Sequence, residues 1–480
     1  MTDRWNDLVE LSNRRATQAL IAVVSVAVIA YLFYRDFQIG VYRIPYTDFQ
    51  SFYMAALAVR HHADPYGPAV DWIRSYVASG NGSLFATKSY VYAPFFALLL
   101  SPLTFLSMHG ALVVWDVLNV AFLVGAVYSL LRSAGVRTGL PTVLALAAAA
   151  SLWAAVRKEW YLGQSDVFLL FLLSTALWAR TAGRGNVAGV LLGAAIAVKP
   201  AFAVLLPFLL WKREFRFALA GAGTAVALLA VPALWLGPAT AAHQLQVWSF
   251  WSGPYVAFAH NDAPKGILTR LFTVNPVSPS LMVAPGLVTA AWLIISAAVA
   301  VVAAAVIRPA PFQRDARSLI EFGLMVEALL LITPLTEWPY LLLLLIPLLG
   351  IFAWLMESGI NSRPARIAAV GAVAVAALLY GPANAVEYWA LGHVGGTPVH
   401  SAVYVVLAGA NLYLLAGAFA VQLVALNGLS RTSTRVATLD FVSHLPSLLR
   451  DWLADALSGR APAPRHGTAI DGAHPATGRS

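Results

Sequence analysis

The sequence predicts an all-α fold, a polytopic transmembrane helical bundle. Three observations carry that expectation. Of the 480 residues, 60% are apolar and 11% are charged, where a soluble domain carries about 25% charged residues. Mean hydropathy is +0.73. Apolar runs recur along almost the whole chain, separated by short polar segments. A soluble globule of this composition would expose very large apolar patches. The chain has no cysteine, which excludes disulfides, thiolate metal sites and Cys nucleophiles. The net charge of +9 is not read as a nucleic-acid signal. The basic residues sit in short clusters between apolar runs, where the positive-inside rule puts them. The leading stretch MTDRWNDLVELSNRRATQ is polar for too long to be a cleaved signal peptide, and no small-residue cleavage site follows it.

Apolar runs able to enter a membrane lie at 18–35, 92–107, 111–131, 140–156, 166–179, 186–198, 200–211, 217–236, 286–307, 318–332, 340–356, 366–381 and 402–427. Several are shorter than the ~20 residues of a perpendicular span. Short helices suit a bundle that encloses a cavity, because their ends are then buried in protein. The expectation is about 11–13 membrane helices, short or re-entrant ones included. Arg4, Arg14 and Arg15 precede the first run, so the N-terminus reads as cytoplasmic. Arg132/Arg137, Arg180/Arg184, Lys212/Arg213/Arg216, Arg308/Arg314/Arg317, Arg363/Arg366 and Arg431/Arg435 fit the same side. The segments 36–90, 157–166, 237–285, 333–338 and 382–401, with the turn at Lys199-Pro200, then face outward. One inconsistency stands. Two runs, 92–107 and 111–131, separate the outer loop 36–90 from Arg132, and an odd number of crossings is needed. Either one run is re-entrant, broken at Pro102, or the Arg132 cluster departs from the rule.

The outer loop 36–90 carries Phe49, Phe52, Tyr53, Ala56 and Val59 at helical spacing, which predicts an interfacial helix. The membrane domain is expected over 1–430. An amphipathic cytoplasmic segment follows at 431–458, then a Pro/Gly/Ala-rich disordered tail at 459–480. No repeat of fixed period and no P-loop motif is present.

The polar residues hardest to explain gather on the outward segments. A carboxylate at the bilayer centre costs about 2.5–3.5 kcal/mol on insertion scales, and less near the interface. Asp48 opens the interfacial helix, where it can act as an N-cap or as a catalytic carboxylate. Asp64 precedes Pro65 and reads as a turn carboxylate. In WYLGQSD (160–166) Gly163 permits a tight turn, and Gln164, Ser165 and Asp166 can cap the next helix or meet sugar hydroxyls. Arg157 and Lys158 stand nearby as phosphate ligands. Lys199 interrupts the otherwise uncharged stretch 186–210, with Pro200 breaking the helix behind it. It either snorkels to the interface or faces a cavity and needs an anion. His260, Asn261, Asp262, Lys265 and Arg270 crowd one outward segment. Trp248, Trp251 and Tyr255 beside them serve as interface anchors or as a sugar-stacking wall. Glu337 and Trp338 stand at the outer mouth of a span. Asp116, Glu321 and Glu327 are expected to pair with neighbouring helices. His61 and His62 read as surface residues. No His/Asp/Glu spacing makes a metal site, and no cofactor is expected.

Several stretches, met in this order, resemble the GT-C integral-membrane glycosyltransferases and most closely glycosyltransferase family 87. They are Asp48 followed by Asp64-Pro65-Tyr66, YVYAPFFALLLSPLTFL (90–106), GQSD (163–166), VKPAFAVLLPFLLWKREFR (198–216) and TPLTEWPYLLLLLIPL (333–348). The resemblance implies a GT-C bundle. It implies an inverting transfer of a sugar, a hexose such as mannose, from a polyprenyl-phosphate donor to a glycolipid or polysaccharide hydroxyl. The reaction would run at the outer face of the plasma membrane. It raises Asp48 to the catalytic base and Gln164 and Lys199 to the donor site. Lys158, Arg157, Asn261, Lys265, Glu337 and Tyr340 complete the expected binding set. There are departures. Relatives carry Ser-Trp and histidine where this chain has Thr336-Glu337-Trp338-Pro339-Tyr340, so Tyr340 or His260 would take the histidine role. The NQS-like element of relatives appears only as Asn261-Asp262-Ala263. A phosphate leaving group needs cationic clamping and no protonation, so one carboxylate to deprotonate the acceptor suffices. The alternative is a transporter or flippase of lipid-linked sugars that does no chemistry, which would want its polar residues nearer the midplane.

Overall fold

The computed structural model describes residues 15–42, 48–67, 71, 90–360 and 362–430. The amphipathic segment and tail expected at 431–480 lie outside them. The described residues form helices and no strand. Among the described residues six helices are long and apolar enough to cross a bilayer: Arg15–Ile39, Met108–Ser133, Phe215–Leu236, Pro285–Val306, Trp338–Ser358 and Ala410–Leu429. Two bent pairs, Leu140–Ser151 with Ala154–Leu162 and Arg363–Leu379 with Pro382–Leu391, raise the number to 8. Shorter apolar helices stand beside them at Pro94–Phe105, Gly185–Val198, Pro200–Trp211 and Pro398–Leu407. The protein is a multi-pass membrane protein.

In chain order the elements used below are α1 (Arg15–Tyr42), α2 (Asp48–Arg60), α3 (Pro94–Leu100), α4 (Met108–Ser133), α5 (Leu140–Ser151), α6 (Ala154–Leu162), α7 (Asp166–Thr181), α8 (Gly185–Val198), α9 (Leu205–Trp211), α10 (Phe215–Leu236), α11 (Pro238–Ser252), α12 (Pro264–Phe272), α13 (Pro285–Val306), α14 (Ala316–Ile332), α15 (Leu345–Ser358), α16 (Arg363–Leu379), α17 (Pro382–Leu391), α18 (Pro398–Leu407) and α19 (Ala410–Ser430). Starts follow local chemistry. Ser107 caps α4 by accepting from the Gly110 amide, and Asp315 caps α14 by accepting from the Ser318 amide at 2.7 Å. Proline at the first turn opens α3, α5, α11, α12, α13 and α16 through α18, where its missing N–H is no loss.

Helix α14 is the axis of the bundle. It is mostly apolar, and every residue from Ala316 to Leu331 is buried, its charged residues Arg317, Glu321 and Glu327 included, each with a polar partner. Gly323 lets it approach the N-terminal part of α15, since a Cβ there would lie 2.8 Å from the Pro347 nitrogen. A second close crossing joins α8 and α10. A Cβ on Gly189 would stand 2.9 Å from the Phe217 carbonyl oxygen, and one on Gly193 would stand 2.7 Å from that of Gly221. Small residues at four-residue spacing let backbones meet where lipid supplies no hydrophobic drive.

The parity inconsistency turns on the segment that contains α3. The segment 94–105 is α-helical to Leu100 and a 3-10 helix from Ser101 to Phe105, with Pro102 in the tighter part. At about 1.5 Å per α-helical residue and 2.0 Å per 3-10 residue it reaches at most about 21 Å, short of the roughly 30 Å hydrocarbon core. Arg60 of α2 donates to the Thr104 carbonyl at 3.0 Å, and the Tyr53 hydroxyl donates to that of Leu106 at 2.9 Å. The segment therefore returns to the α2 side, and α4 alone leads to Arg132. In α2, Phe49, Phe52, Ala55, Ala56 and Val59 are buried, packed on α3 and α4.

Charged residues gather where α4 and α7 end and where α10 and α14 begin. Arg180 pairs with Glu214. Lys212 meets Glu321 at 2.5 Å, Arg317 meets Glu321 at 2.7 Å, and Arg314 donates to the Arg132 carbonyl at 3.0 Å. The opposite ends of α7, α8 and α14 carry Asp166, Lys199 and the loop to Glu337. Glu321 and Glu327 are partnered as expected, Glu327 by Gln422 of α19. Asp116 is not: it is buried on α4 and both its carboxyl oxygens lack a hydrogen-bond partner. His61 and His62 are exposed.

Gly193→Ala forces the α8–α10 crossing apart. We expect a lower thermal midpoint in detergent, whereas Gly223→Ala, where a Cβ meets open space, leaves it unchanged; differential scanning fluorimetry compares the two.

Candidate active site

The centre of the site is the turn between α6 and α7. Gly163 adopts the left-handed conformation, φ 63°, which a side chain disfavours. A Cβ there would also lie 2.6 Å from that of Phe49. The glycine thus brings the first turn of α2 against the chain at Gln164. Trp115 of α4 donates its indole N–H to the carbonyls of Gly163 and Gln164, each at 3.1 Å. The start of α7 is capped from an unexpected residue. Ser165 makes no side-chain cap. Glu159 instead accepts from the amides of Asp166 and Val167 at 2.8 and 3.1 Å, satisfying two of the free N–H groups at the start of the helix. The residue was visible in the sequence, but only the fold turns it back onto α7.

Gln164 projects from this turn toward Asp48. Its amide Nε2 donates to Asp48 Oδ2 at 2.6 Å, while its Oε1 accepts from the Tyr92 hydroxyl at 3.2 Å. Ser165 donates to the same hydroxyl at 3.2 Å. A carboxylate only accepts, so the amide must present its NH₂ to Asp48, and Tyr92 fixes that orientation. Burial pushes the Tyr92 phenol up, chiefly by desolvation and then by the Asp166 charge, so it remains a donor. Tyr92 is itself held by Tyr66, whose hydroxyl donates to the Tyr92 carbonyl at 2.6 Å. The Asp-Pro-Tyr stretch therefore braces the site. Asp64 makes its turn by accepting from the Tyr66 amide at 3.0 Å, and its other oxygen meets His243 at 2.5 Å.

Asp48, Ser51, Tyr92, Lys158, Gln164, Trp251, Tyr255, His260, Glu337, Trp338 and Tyr340 line one cleft of about 250 Å³. A second, apolar groove of about 490 Å³ is lined by Val198, Lys199, Pro200, Ala201, Val204, Trp248, Trp292 and Ile332. The two hollows share Val91, Tyr92, Trp251, Leu335 and Tyr340. Lys199 stands at that junction with its ammonium 3.7 Å from the centre of the Tyr340 ring. Its anion is supplied by the protein, because Asp166 forms an ion pair with it. Lys158 lies 4.4 Å over the Trp338 ring, with no carboxylate at ion-pair distance among the described residues. Of the aromatic residues, Trp251 and Tyr255 wall the cleft, their rings 3.7 Å apart, and Trp248 walls the groove.

Three expected binding residues stand elsewhere. Arg157 donates to Asp36 of α1 at 3.0 Å. Neighbours on a helix point about 100° apart, so with Lys158 in the cleft Arg157 cannot also face it. Asn261 is fully buried and ties two loops together. It donates to the carbonyls of Val256 and Pro334 and accepts from the amides of Ala263 and Thr336. Lys265 donates to the Ser252 carbonyl at 3.2 Å and lies over Trp292. Arg270 is likewise spent on backbone carbonyls, those of Phe258 and Asn261.

The family model of glycosyltransferase family 87 matches residues 90–334, just over half of the chain. The chain belongs to glycosyltransferase family 87. It is therefore a glycosyltransferase. The family match takes in the Tyr92 segment, the Gly163 turn, Lys199 and His260. It stops short of Glu337 and begins after Asp48. Comparison with curated proteins finds no match, and comparison with solved structures finds none.

Glu337 adds a second acid to the cleft of this family 87 protein. Burial, followed by the like charge of Asp48, pushes its carboxyl up to about 7, with Lys158 and Lys199 opposing. Its folded value lies above the ordinary 4.5, so the folded state binds the extra proton and stability falls as pH rises through that window. Glu337→Gln removes this loss. The variant should gain thermal stability relative to the wild type above pH 7 and not below pH 4.5, a difference that melting curves across pH measure.

Proposed function

We propose that this glycosyltransferase moves a hexose, mannose being the first candidate, from a polyprenyl-phosphate donor to a hydroxyl of a glycolipid or polysaccharide, with inversion and on the non-cytoplasmic face of the plasma membrane. The observation that carries this reading is the junction of the two hollows. An apolar, Trp-lined groove opens into a small polar cleft, and a lysine stands where they meet. That is the order of a lipid chain, a phosphate and a sugar. The cleft falls just below the roughly 300–1,000 Å³ of drug-sized ligand pockets, which suits one sugar ring. The groove suits a lipid chain that enters sideways from the bilayer.

In this reading Asp48 is the base. As the acceptor oxygen bonds to the anomeric carbon, the bond from that carbon to the phosphate oxygen breaks. The acceptor proton passes to Asp48, and the electron pair leaves with the polyprenyl phosphate. Lys199, at the junction, stabilises the departing charge. Gln164 is a positioning residue that aims the Asp48 carboxylate, with Tyr92 behind it. The positive-inside rule supports an outward cleft, since the basic ends of α4, α7 and α14 lie opposite it.

Purified protein incubated with a panel of polyprenyl-phosphate sugars should release free polyprenyl phosphate and form a new glycosidic bond, both read by mass spectrometry. Movement of intact donor across a vesicle with no new bond would favour a flippase instead. Asp48→Asn should lower turnover by about 10²–10⁴-fold with the fold intact. Full activity in that variant sinks the mechanism. Gln164→Ala, which removes one hydrogen bond to a charged group, should lower kcat by about 10–100-fold and leave the donor KM nearly unchanged.

A further inference from the structure

His260 lines the cleft but not the groove, and it is held from behind by a buried polar relay. Its Nδ1 meets Glu387 Oε1 of α17 at 2.7 Å. The other oxygen of Glu387 accepts from Asn411 of α19 at 2.6 Å, and the same amide reaches Asp262 at 3.3 Å. Glu387 and Asn411 are both fully buried. A carboxylate buried in a membrane protein is costly to hold, and the one cationisable group at ion-pair distance from Glu387 among the described residues is His260. The ring is further fixed between Phe258 and Tyr388, 5.5 and 4.9 Å between ring centres. Because Nδ1 faces a carboxylate oxygen, Nδ1 carries its hydrogen, and Nε2 is the nitrogen left for a ligand. Among the described residues Nε2 has no hydrogen-bond partner.

The charge around this wall decides what Nε2 can meet. Asp48 and Glu337 share the cleft, Glu387 stands behind the imidazole, and Lys158 feels all three. One unpaired cation among three carboxylates makes this wall unsuited to a phosphate. A sugar hydroxyl fits it, because it can donate to a neutral Nε2 or accept from a protonated one. The phosphate is accommodated at the other end, beside Lys199.

We propose that His260, oriented by Glu387, is the hydroxyl-binding residue of the acceptor subsite, and that the acceptor is a hexose-bearing lipid or glycan. This rests on the reading of the cleft as the place of sugar transfer.

The test uses the full-length protein in detergent and a panel of octyl hexosides as acceptor probes. Binding is read by quenching of the cleft tryptophans, Trp251 and Trp338. The variant His260→Phe keeps the ring packing, and the double variant His260→Phe/Glu387→Gln avoids a bare buried carboxylate. Both should bind the hexoside about five- to tenfold more weakly than the wild type, the effect of one lost hydrogen bond. With a polyprenyl-phosphate hexose that the wild type consumes, both should lose transfer to the octyl hexoside while keeping hydrolysis of the donor by water. Equal hexoside affinity in wild type and variants, no hexoside bound by the wild type, or an equal fall in transfer and hydrolysis overturns the proposal. Binding that weakens as expected while Asp48→Asn remains fully active would instead remove the base and leave the subsite standing.

Discussion

The left-handed turn at Gly163 is the constraint on which the site depends. A side chain there would collide with Phe49, so only glycine lets α2 close against the chain between α6 and α7. That closure produces the 2.6 Å contact from Gln164 to Asp48. It also turns Glu159 back onto the start of α7 and sets Asp166 facing Lys199. Movement of the turn by one ångström would loosen all three together, because each partner is delivered by a different helix.

Charge placement follows a consistent pattern. At one end of the bundle Lys212, Arg317 and Glu321 pair off, as buried ions must if they are not to remain an uncompensated cost. At the cleft end the compensation is incomplete. Lys158 rests on an aromatic face with no carboxylate at ion-pair distance among the described residues, and Glu337 is pushed up to about 7 by burial and then by Asp48. Groups left with such strained electrostatics in a hollow mark a working site; Lys158 lies inside the stretch that the family 87 model matches, and Glu337 stands just past its end.

The two hollows divide the labour of the proposed reaction. Aromatic and aliphatic walls suit a lipid, and directed polar groups suit a sugar. Tyr92 and Tyr340 belong to both, so the residues that would guide the lipid also border the carboxylate that would take the proton. His260 borders only the cleft, and its relay through Glu387 and Asn411 reaches α17 and α19, far along the chain from the family match. Donor and acceptor would thus be held by different parts of the bundle, with the reacting atoms between them.

Composition and the spacing of apolar runs determined the class of this protein, because a chain with so few charges has no way to bury its surface in water. The residue types also disclosed the capacity for chemistry: an aspartate after the first span, a glycine turn before Gln164, and a lysine alone in an apolar stretch. Their order along the chain was sufficient to suggest the family. Direction was not legible. Arg157 and Lys158 are adjacent letters, yet helical rotation sends one to Asp36 and the other into the cleft. Lys199 stood as a lone cation in the sequence, and only the fold gave it Asp166 as a partner at the junction of the two hollows. Asn261 looked like a sugar ligand until burial committed its amide to four backbone groups. The pairing of His260 with Glu387 spans 127 positions, and no local pattern encodes it. A sequence states which groups exist and how often they recur, while the packing of distant helices sets which of them meet and which remain free for a substrate.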